Sequence, residues 1–386
     1  MALKAAGTDS PVAFEKKVLT DRFHAEAAGI GDIDHDGHPD VVYGPYWYAG
    51  PAFTERFEIY PHKDFDPNQY SNNFMTAVAD VDGDSLLDVL VNEWPGKAVQ
   101  WFRNPGNRTG DWAKHLAHPV VDNESPNWLD LTGDGRGELV FHTGGVLGFA
   151  APSEKSGTDR WAFRPCSTSE KWGQYQHGLG VGDVNGDGRP DLLMSGGWWE
   201  QPPAAAGEET PPVWVKHPVD FGKGGAQMHT LDVDGDGDAD VITSLEGHGY
   251  GVSWFEQVQR DGTTQFVDHA ILPPTAGESL DGVQFSQPHA VAVVDIDGDG
   301  LEDIVTGKRF WAHGPKGDPD PGGTPCLYWF QLGRNDGTVT WTPHRIDDAS
   351  GVGTQLAVGD LNGDGRPDIV VGNKKGGFVF LQKPAG

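Results

Sequence analysis

Asp295-Ile296-Asp297-Gly298-Asp299-Gly300-Leu301-Glu302-Asp303 carries carboxylates at positions one, three, five and nine, with glycine at four and six. In a tight loop, side-chain oxygens from positions one, three and five converge on one point. A backbone carbonyl near position seven can join them, and the ninth residue closes the shell. An all-oxygen cage of this kind suits a hard cation such as Ca2+. The pattern occurs seven times, starting at Asp32, Asp80, Asp130, Asp183, Asp232, Asp295 and Asp360. The expected ligands are Asp32, Asp34, Asp36 and Asp40; Asp80, Asp82, Asp84 and Asp88; Asp183, Asn185, Asp187 and Asp191; Asp232, Asp234, Asp236 and Asp240; Asp295, Asp297, Asp299 and Asp303; and Asp360, Asn362, Asp364 and Asp368. They account for about six structural calcium ions. The copy at Asp130 has Thr132 at position three and Glu138 at position nine, so a seventh ion is expected to bind more weakly there or to give way to water. His35 and Ser85 replace glycine in the first and second copies.

The copies are spaced 48, 50, 53, 49, 63 and 65 residues apart, a period suited to four-stranded propeller blades. Short apolar runs flank each loop, as in Val291 to Val294 and Asp303-Ile304-Val305. A third run is aromatic (Leu327-Tyr328-Trp329-Phe330), and a fourth alternates and often holds a histidine (Trp341 to Ile346). Such β-branched and aromatic runs read as strands, and no sustained helical period appears. The expected fold is all-β: a seven-bladed propeller of four-stranded antiparallel blades, forming a single domain over residues 1–386. The last repeat is one strand short. The unmatched Phe14-Glu15-Lys16-Lys17-Val18-Leu19 is expected to complete it and close the ring.

If each loop joins the innermost strand to the second, all the loops share one face. Residues entering the first strands, and those leaving the second, then gather at the opposite mouth of the channel. Glu124, His177 and His289 each lie six positions before the first Asp of their loop, so they should face one another. His229 lies only three before its own, an odd offset that reverses side-chain direction in a strand. Tyr70, Asn73 and Tyr175 enter first strands; Trp47, Trp198, His248, Lys308 and Arg309 leave second strands. Aromatic faces mixed with His, Glu, Lys and Arg suit a sugar cleft. The expected sugar-binding residues are Trp47, Tyr70, Asn73, Trp198, His229, His248 and Lys308. Adjacent residues of an extended strand point opposite ways, so at least one ring of each aromatic run, Tyr46-Trp47-Tyr48 and Trp198-Trp199, is expected to be exposed. His115, His217, His269 and His344 recur beside an aromatic in fourth strands and read as structural.

Gly182-Asp183-Val184-Asn185-Gly186-Asp187-Gly188-Arg189-Pro190-Asp191-Leu192 resembles the FG-GAP/VCBS repeat, whose members form seven-bladed propellers like those of integrin α subunits. The Gly- and Trp-rich connections look more like carbohydrate-active propellers, such as polysaccharide lyases and the propeller domain of fungal aldos-2-ulose dehydratase. That likeness implies β-elimination on an acidic or oxidised sugar. Two routes fit the mouth. In one, Glu124, His177 and His289, with or without His229, hold a transition metal that acidifies a proton beside a carbonyl. In the other, Lys308 or Arg309 neutralises a uronate, His177 or His289 is the base, and Tyr175 or Tyr70 protonates the leaving oxygen. The same surface without elimination would be a lectin, and a protein-interaction propeller is the third reading. Mouth residues that differ from blade to blade favour an enzyme over a multivalent lectin.

The formal charge of −29 disfavours nucleic acid, and no apolar span long enough to cross a membrane is present. The acidic surface suits an extracellular or periplasmic setting rich in calcium, although residues 1–10 do not read as a signal peptide. Cys166 and Cys326 fall in different repeats and are not expected to pair. The expected partner is an oligosaccharide or a sugar-derived small molecule.

Overall fold

A computed structural model describes residues 12–152, 160–203 and 213–384 of the chain. Among them are twenty-eight strands and no helix, and so no helix long and apolar enough to cross a membrane. Four blades have four consecutive strands each. The first contains Ala28–Gly31, Asp40–Tyr43, Tyr46–Tyr48 and Arg56–Glu58; the second, Met75–Ala79, Asp88–Asn92, Lys97–Arg103 and Ala113–Val121; the third, Asn127–Leu129, Glu138–Thr143, Val146–Ala151 and Ala162–Pro165. A later blade contains Val291–Val294, Asp303–Gly307, Leu327–Asn335 and Thr338–Asp347. In the fifth, Leu356–Gly359, Asp368–Asn373 and Gly376–Gln382 are joined by the N-terminal strand Phe14–Thr20, with Phe14 opposite Gln382 and Val18 opposite Phe378.

The remaining eight strands form one continuous sheet, which corrects the expectation of seven separate blades: the propeller has five four-stranded blades beside an eight-stranded sheet. Within that sheet Leu179–Gly182 runs parallel to Gln227–Leu231, with Leu179 opposite Gln227 and Gly180 opposite Met228. The cause is legible in the residues. A Cβ on Gly180 would lie 2.4 Å from the Met228 carbonyl oxygen, and one on Gly182 would lie 1.9 Å from Thr230 Oγ1. Without side chains the two inner strands approach closely enough to hydrogen-bond.

Packing between blades explains why second strands are buried on both faces. Asp40–Tyr43, Asp191–Met194 and Asp303–Gly307 are buried at every residue. Tyr43, Tyr46, Tyr48 and Phe53 of the first blade pack with Leu361, Val370 and Val379 of the last. The fourth-strand histidines pack on third-strand indoles: His115 on Trp101, His217 on Trp198, His269 on Trp254 and His344 on Trp329, with ring centroids 4.0–4.6 Å apart.

The acidic loops are pinned by their own carboxylates. Asp295 accepts the backbone N–H groups of Gly298, Asp299 and Gly300, while Asp303 accepts Ile296 N–H at 3.0 Å through one oxygen and Leu332 N–H at 2.9 Å through the other. The ninth residue thus ties its loop to the third strand. Glu138 likewise accepts Leu131 N–H at 2.7 Å, but its other oxygen takes the Thr132 hydroxyl at 3.1 Å and stays within the loop. His35 and Ser85 adopt the left-handed conformation elsewhere taken by loop glycines, at φ 58° and 73°.

Candidate metal centre at the channel mouth

Short backbone contacts link the segments that enter and leave the inner strands. Asn123 bridges Gln176, Gly224 bridges Glu246, and Arg309 bridges Val352. Glu124 N–H donates to Gln176 O at 3.1 Å, Gly247 N–H to Gly224 O at 3.0 Å and Gln287 N–H to Gly249 O at 2.7 Å. The turn Glu246-Gly247-His248-Gly249 is thereby pressed against His177. A Cβ on Gly247 would lie 2.8 Å from His177 Cδ2, so only glycine leaves the imidazole its place.

This collar brings four side chains to one point. His177 Nε2 lies 3.1 Å from His289 Nε2 and 2.9 Å from His248 Nε2. Glu124 Oε2 lies 3.1 Å from His289 Nε2 and 3.4 Å from His177 Nε2. Glu124 and His289 are buried, and His177 and His248 are partly exposed toward the mouth. Two ligands about 2.1 Å from one metal ion and about 90° apart would be separated by about 3 Å, the spacing seen here. Without a cation, three Nε2 atoms gathered so closely include at least two alike, both lone pairs or both N–H groups. A shared cation removes that conflict.

Electrostatics agree with the geometry. Burial pushes the Glu124 carboxyl up, but His177, His289 and His248 together bring it down to about 2, so it is an anion at neutral pH. Burial also lowers His177, against the opposing pull of Glu124, which keeps its ring neutral and available as a ligand. Behind His248, Asp318 Oδ1 lies 3.4 Å from Nδ1 and accepts His313 Nδ1–H at 2.7 Å. Its other oxygen accepts the N–H groups of Ala312 and His313. A carboxylate behind a ligating imidazole fixes the ring and raises its basicity. The donor set therefore fits a divalent transition metal.

Aromatic rings adjoin the centre through His313. Tyr70 contacts Trp94 and His313 edge-on at centroid distances of 5.9 and 6.3 Å, and Trp94 contacts Tyr175 at 6.5 Å. Tyr175 is 39% exposed. Burial and then Glu124 and Asp318 raise the Tyr70 hydroxyl, keeping it protonated.

Other expected site residues lie elsewhere. Trp47 and Trp198 are 1% and 4% exposed, as are Tyr46, Tyr48 and Trp199 at 8% or less, which corrects the expectation of an exposed ring in each run. Alternate rings do point to opposite faces, but both faces are covered: Trp47 stacks on Phe57 and Trp198 on His217. Neither can bind a sugar. Asn73, also assigned to sugar, is fully buried and bonds Tyr60 and Thr76. His229 faces a channel cavity of about 190 Å3 beneath Glu124 and donates to Val291 O, away from the cluster. Lys308 and Arg309, assigned to a uronate, are each 1% exposed; Lys308 donates to Ser286 Oγ and Arg309 to Glu26, so neither is presented to a ligand. His248, assigned to sugar, instead completes the histidine cluster. Its signal in the sequence was its place on a glycine-flanked exit turn, where no offset repeats.

On the loop face, carboxylate oxygens of Asp32, Asp34 and Asp36 lie within 4.8 Å of one another, as do those of Asp80, Asp82 and Asp88, and of Asp130, Asp134 and Glu138. These groups can hold a cation. Arginines share the charge in several loops: Arg108 lies 2.6 Å from Asp34, Arg103 lies 2.7 Å from Asp82, and Arg189 and Arg366 pair with Asp187 and Asp364.

Residues 80–141 and 232–306 match the FG-GAP-like repeat, and residues 352–381 match the FG-GAP repeat. The chain carries FG-GAP-like repeats. Integrin alpha-6 of Gallus gallus is 38% identical over 103 residues, a match that takes in 25% of this chain and 9% of the integrin. Among solved structures, the exotype rhamnogalacturonan lyase YesX is similar at a TM-score of 0.50 and 15% identity, over 97% of this chain and 74% of its own. An Agrocybe aegerita lectin that recognises non-reducing terminal N-acetylglucosamine gives 0.49 and 18%, over 92% and 84% of the two chains. Rhamnogalacturonan lyase YesW gives 0.47 and 16%, over 96% and 76%. The likeness to YesX, at 15% identity, is one of fold.

Proposed function

We propose that the chain is a metal-dependent carbohydrate lyase or dehydratase that eliminates across an oxidised or acidic sugar at the mouth opposite the calcium-type loops. The observation that carries this reading is the convergence of Glu124, His177, His248 and His289, beside which lie the half-buried rings of Tyr70 and Trp94 and the exposed ring of Tyr175. A divalent transition metal bound by these four residues would supply Lewis acidity to a sugar oxygen beside the carbon that loses its proton. Six of the seven repeated loops are read as structural calcium sites, and the loop at Asp130 as a weaker one.

Trp94 and the exposed Tyr175 offer rings on which a pyranose stacks, while Lys374 Nζ lies 4.8 Å over the ring of Tyr70. His313, exposed and held through Nδ1 by Asp318, presents Nε2 to accept the proton from carbon. The electron pair of that C–H bond becomes the new double bond, the β C–O bond breaks, and Tyr175 Oη–H protonates the departing oxygen. Because Lys308 and Arg309 are buried and engaged, an oxidised, carbonyl-bearing sugar fits this mouth better than a uronate.

Incubation with a panel of keto-sugars and uronate-containing polysaccharides, followed by ultraviolet absorbance, should reveal a conjugated product. His177→Ala and His289→Ala should each lower product formation by at least about 100-fold and remove one equivalent of transition metal after calcium-only dialysis. The calcium-dependent melting should survive in both. Wild-type turnover in either variant, or no second metal in the wild type, would refute the metal-assisted reading. Saturable sugar binding with no product from any ligand would mark a lectin.

A further inference from the structure

Beside the mouth, between the first and second blades, lies a groove of about 300 Å3. Its floor is aromatic: Tyr60 stacks on Phe102 with centroids 4.6 Å apart, and Trp112 lies alongside. Its rim is polar and weakly self-satisfied. Gln100 Nε2 reaches Glu93 Oε1 only at 3.4 Å, and Lys114 Nζ lies 3.9 Å from the same carboxylate. The groove adjoins the metal centre through the chain itself. Glu93 precedes Trp94, whose ring meets Tyr70 and Tyr175, and Asn73, three residues after Tyr70, donates to the Tyr60 hydroxyl.

Resting on the reading that the mouth handles sugar, we propose that this groove is an outer subsite for a neutral sugar ring, so that the natural ligand is an oligosaccharide rather than a free monosaccharide. The half-buried Tyr60 ring, backed by Phe102 and Trp112, gives the groove an apolar wall against which the C–H face of a pyranose rests, and the long contacts of Gln100, Glu93 and Lys114 leave donors and acceptors free for ring hydroxyls. One carboxylate beside one ammonium leaves the rim without net charge, which suits a neutral ring over a second uronate. The volume lies at the lower end of the small-ligand range, enough for a single ring.

The test is binding by calorimetry, with neutral glucose, mannose, galactose and xylose oligomers of increasing length as probes. At least one series should bind about tenfold more tightly as a trimer than as a monomer, a difference of about 1.4 kcal/mol. In the double variant Gln100→Ala/Lys114→Ala that gain should fall to about twofold or less, with the melting midpoint as the folding control. Should the double variant melt early, Gln100→Ala alone provides the same comparison. Affinity independent of length, a gain that survives substitution, or no binding by any oligomer would overturn the proposal. Because no turnover is measured, failure to find a product would refute the lyase reading without touching this result.

Discussion

On the loop face the ninth residue of each repeat, whether Asp40, Asp88, Glu138, Asp191, Asp240, Asp303 or Asp368, accepts the N–H of the second residue of its own loop at 2.7–3.1 Å. At the mouth, Glu124, His177, His248 and His289 come from separate segments, and one of the four follows no shared offset. The first region does the same work in every repeat and so bears on the stability of the ring. The second occurs once, and loss of one member leaves nothing to replace it. Architecture repeats here, and chemistry does not.

The sharpest way to break that contrast is to withdraw the ions. Under the proposed calcium reading, chelation by EDTA should lower the melting midpoint by on the order of 10 °C, because several sites would bind only the folded ring. The effect should depend on pH in a stated direction. In the cation-free protein, burial together with the neighbouring loop carboxylates raises Asp40 and Asp191 to about 6 and Asp88, Asp240 and Asp303 to about 7. A carboxyl raised on folding favours the folded state below its unfolded pKa, and that contribution is lost as pH rises through the folded value. The cation-free ring is therefore weakened between about pH 5 and 8, where calcium, bound as proposed, would hold the same groups ionised. The gap between calcium-loaded and chelated midpoints should widen from pH 5 to pH 8. Buried histidines outside the mouth cluster contribute equally to both forms and cancel, and repeating the comparison in His177→Ala, which is expected to hold no mouth metal, removes that cluster from the difference. A constant gap would remove the loops from the account of stability.

A smaller effect is expected at the junction inside the eight-stranded sheet. Gly180→Ala should cost about 1–3 kcal/mol, read from the denaturant midpoint, because the methyl group meets the Met228 carbonyl and the backbone must move. Stability unchanged within error would mean that the parallel pairing is not held by that close approach. The smallest effect belongs to Ser85→Gly. It should stabilise by under about 1 kcal/mol, since relief of the left-handed strain is partly offset by the greater freedom of unfolded glycine. A loss of stability would show that Ser85 contributes through contacts of its side chain.

The loops and the meeting of Glu124, His177 and His289 were legible because both depend on offsets within a repeat, and sequence spacing measures offsets directly. His248 was legible only as a mouth residue, since the turn that carries it has no counterpart at a fixed position. Trp47 and Trp198 were misread because the alternation of side chains says which face each ring takes, but not whether a neighbouring blade covers that face. Arg309 was misread for a related reason. Its partner Glu26 is remote in sequence, and nothing local announces a buried ion pair. The number of separate sheets failed on two glycines, whose missing side chains let adjacent inner strands bond.

The pairing of Phe14–Thr20 with Gly376–Gln382 has a consequence for biosynthesis. The first strand of the ring leaves the ribosome long before its partner exists, and it holds Phe14 opposite Gln382 only once nearly the entire described chain has emerged. Until then both ends present unpaired backbone to whatever strand drifts past. Contacts of such sequence separation form slowly. Closure is therefore the last event of assembly, and a chain stalled shortly before Gly376 would carry most of its blades and an open seam.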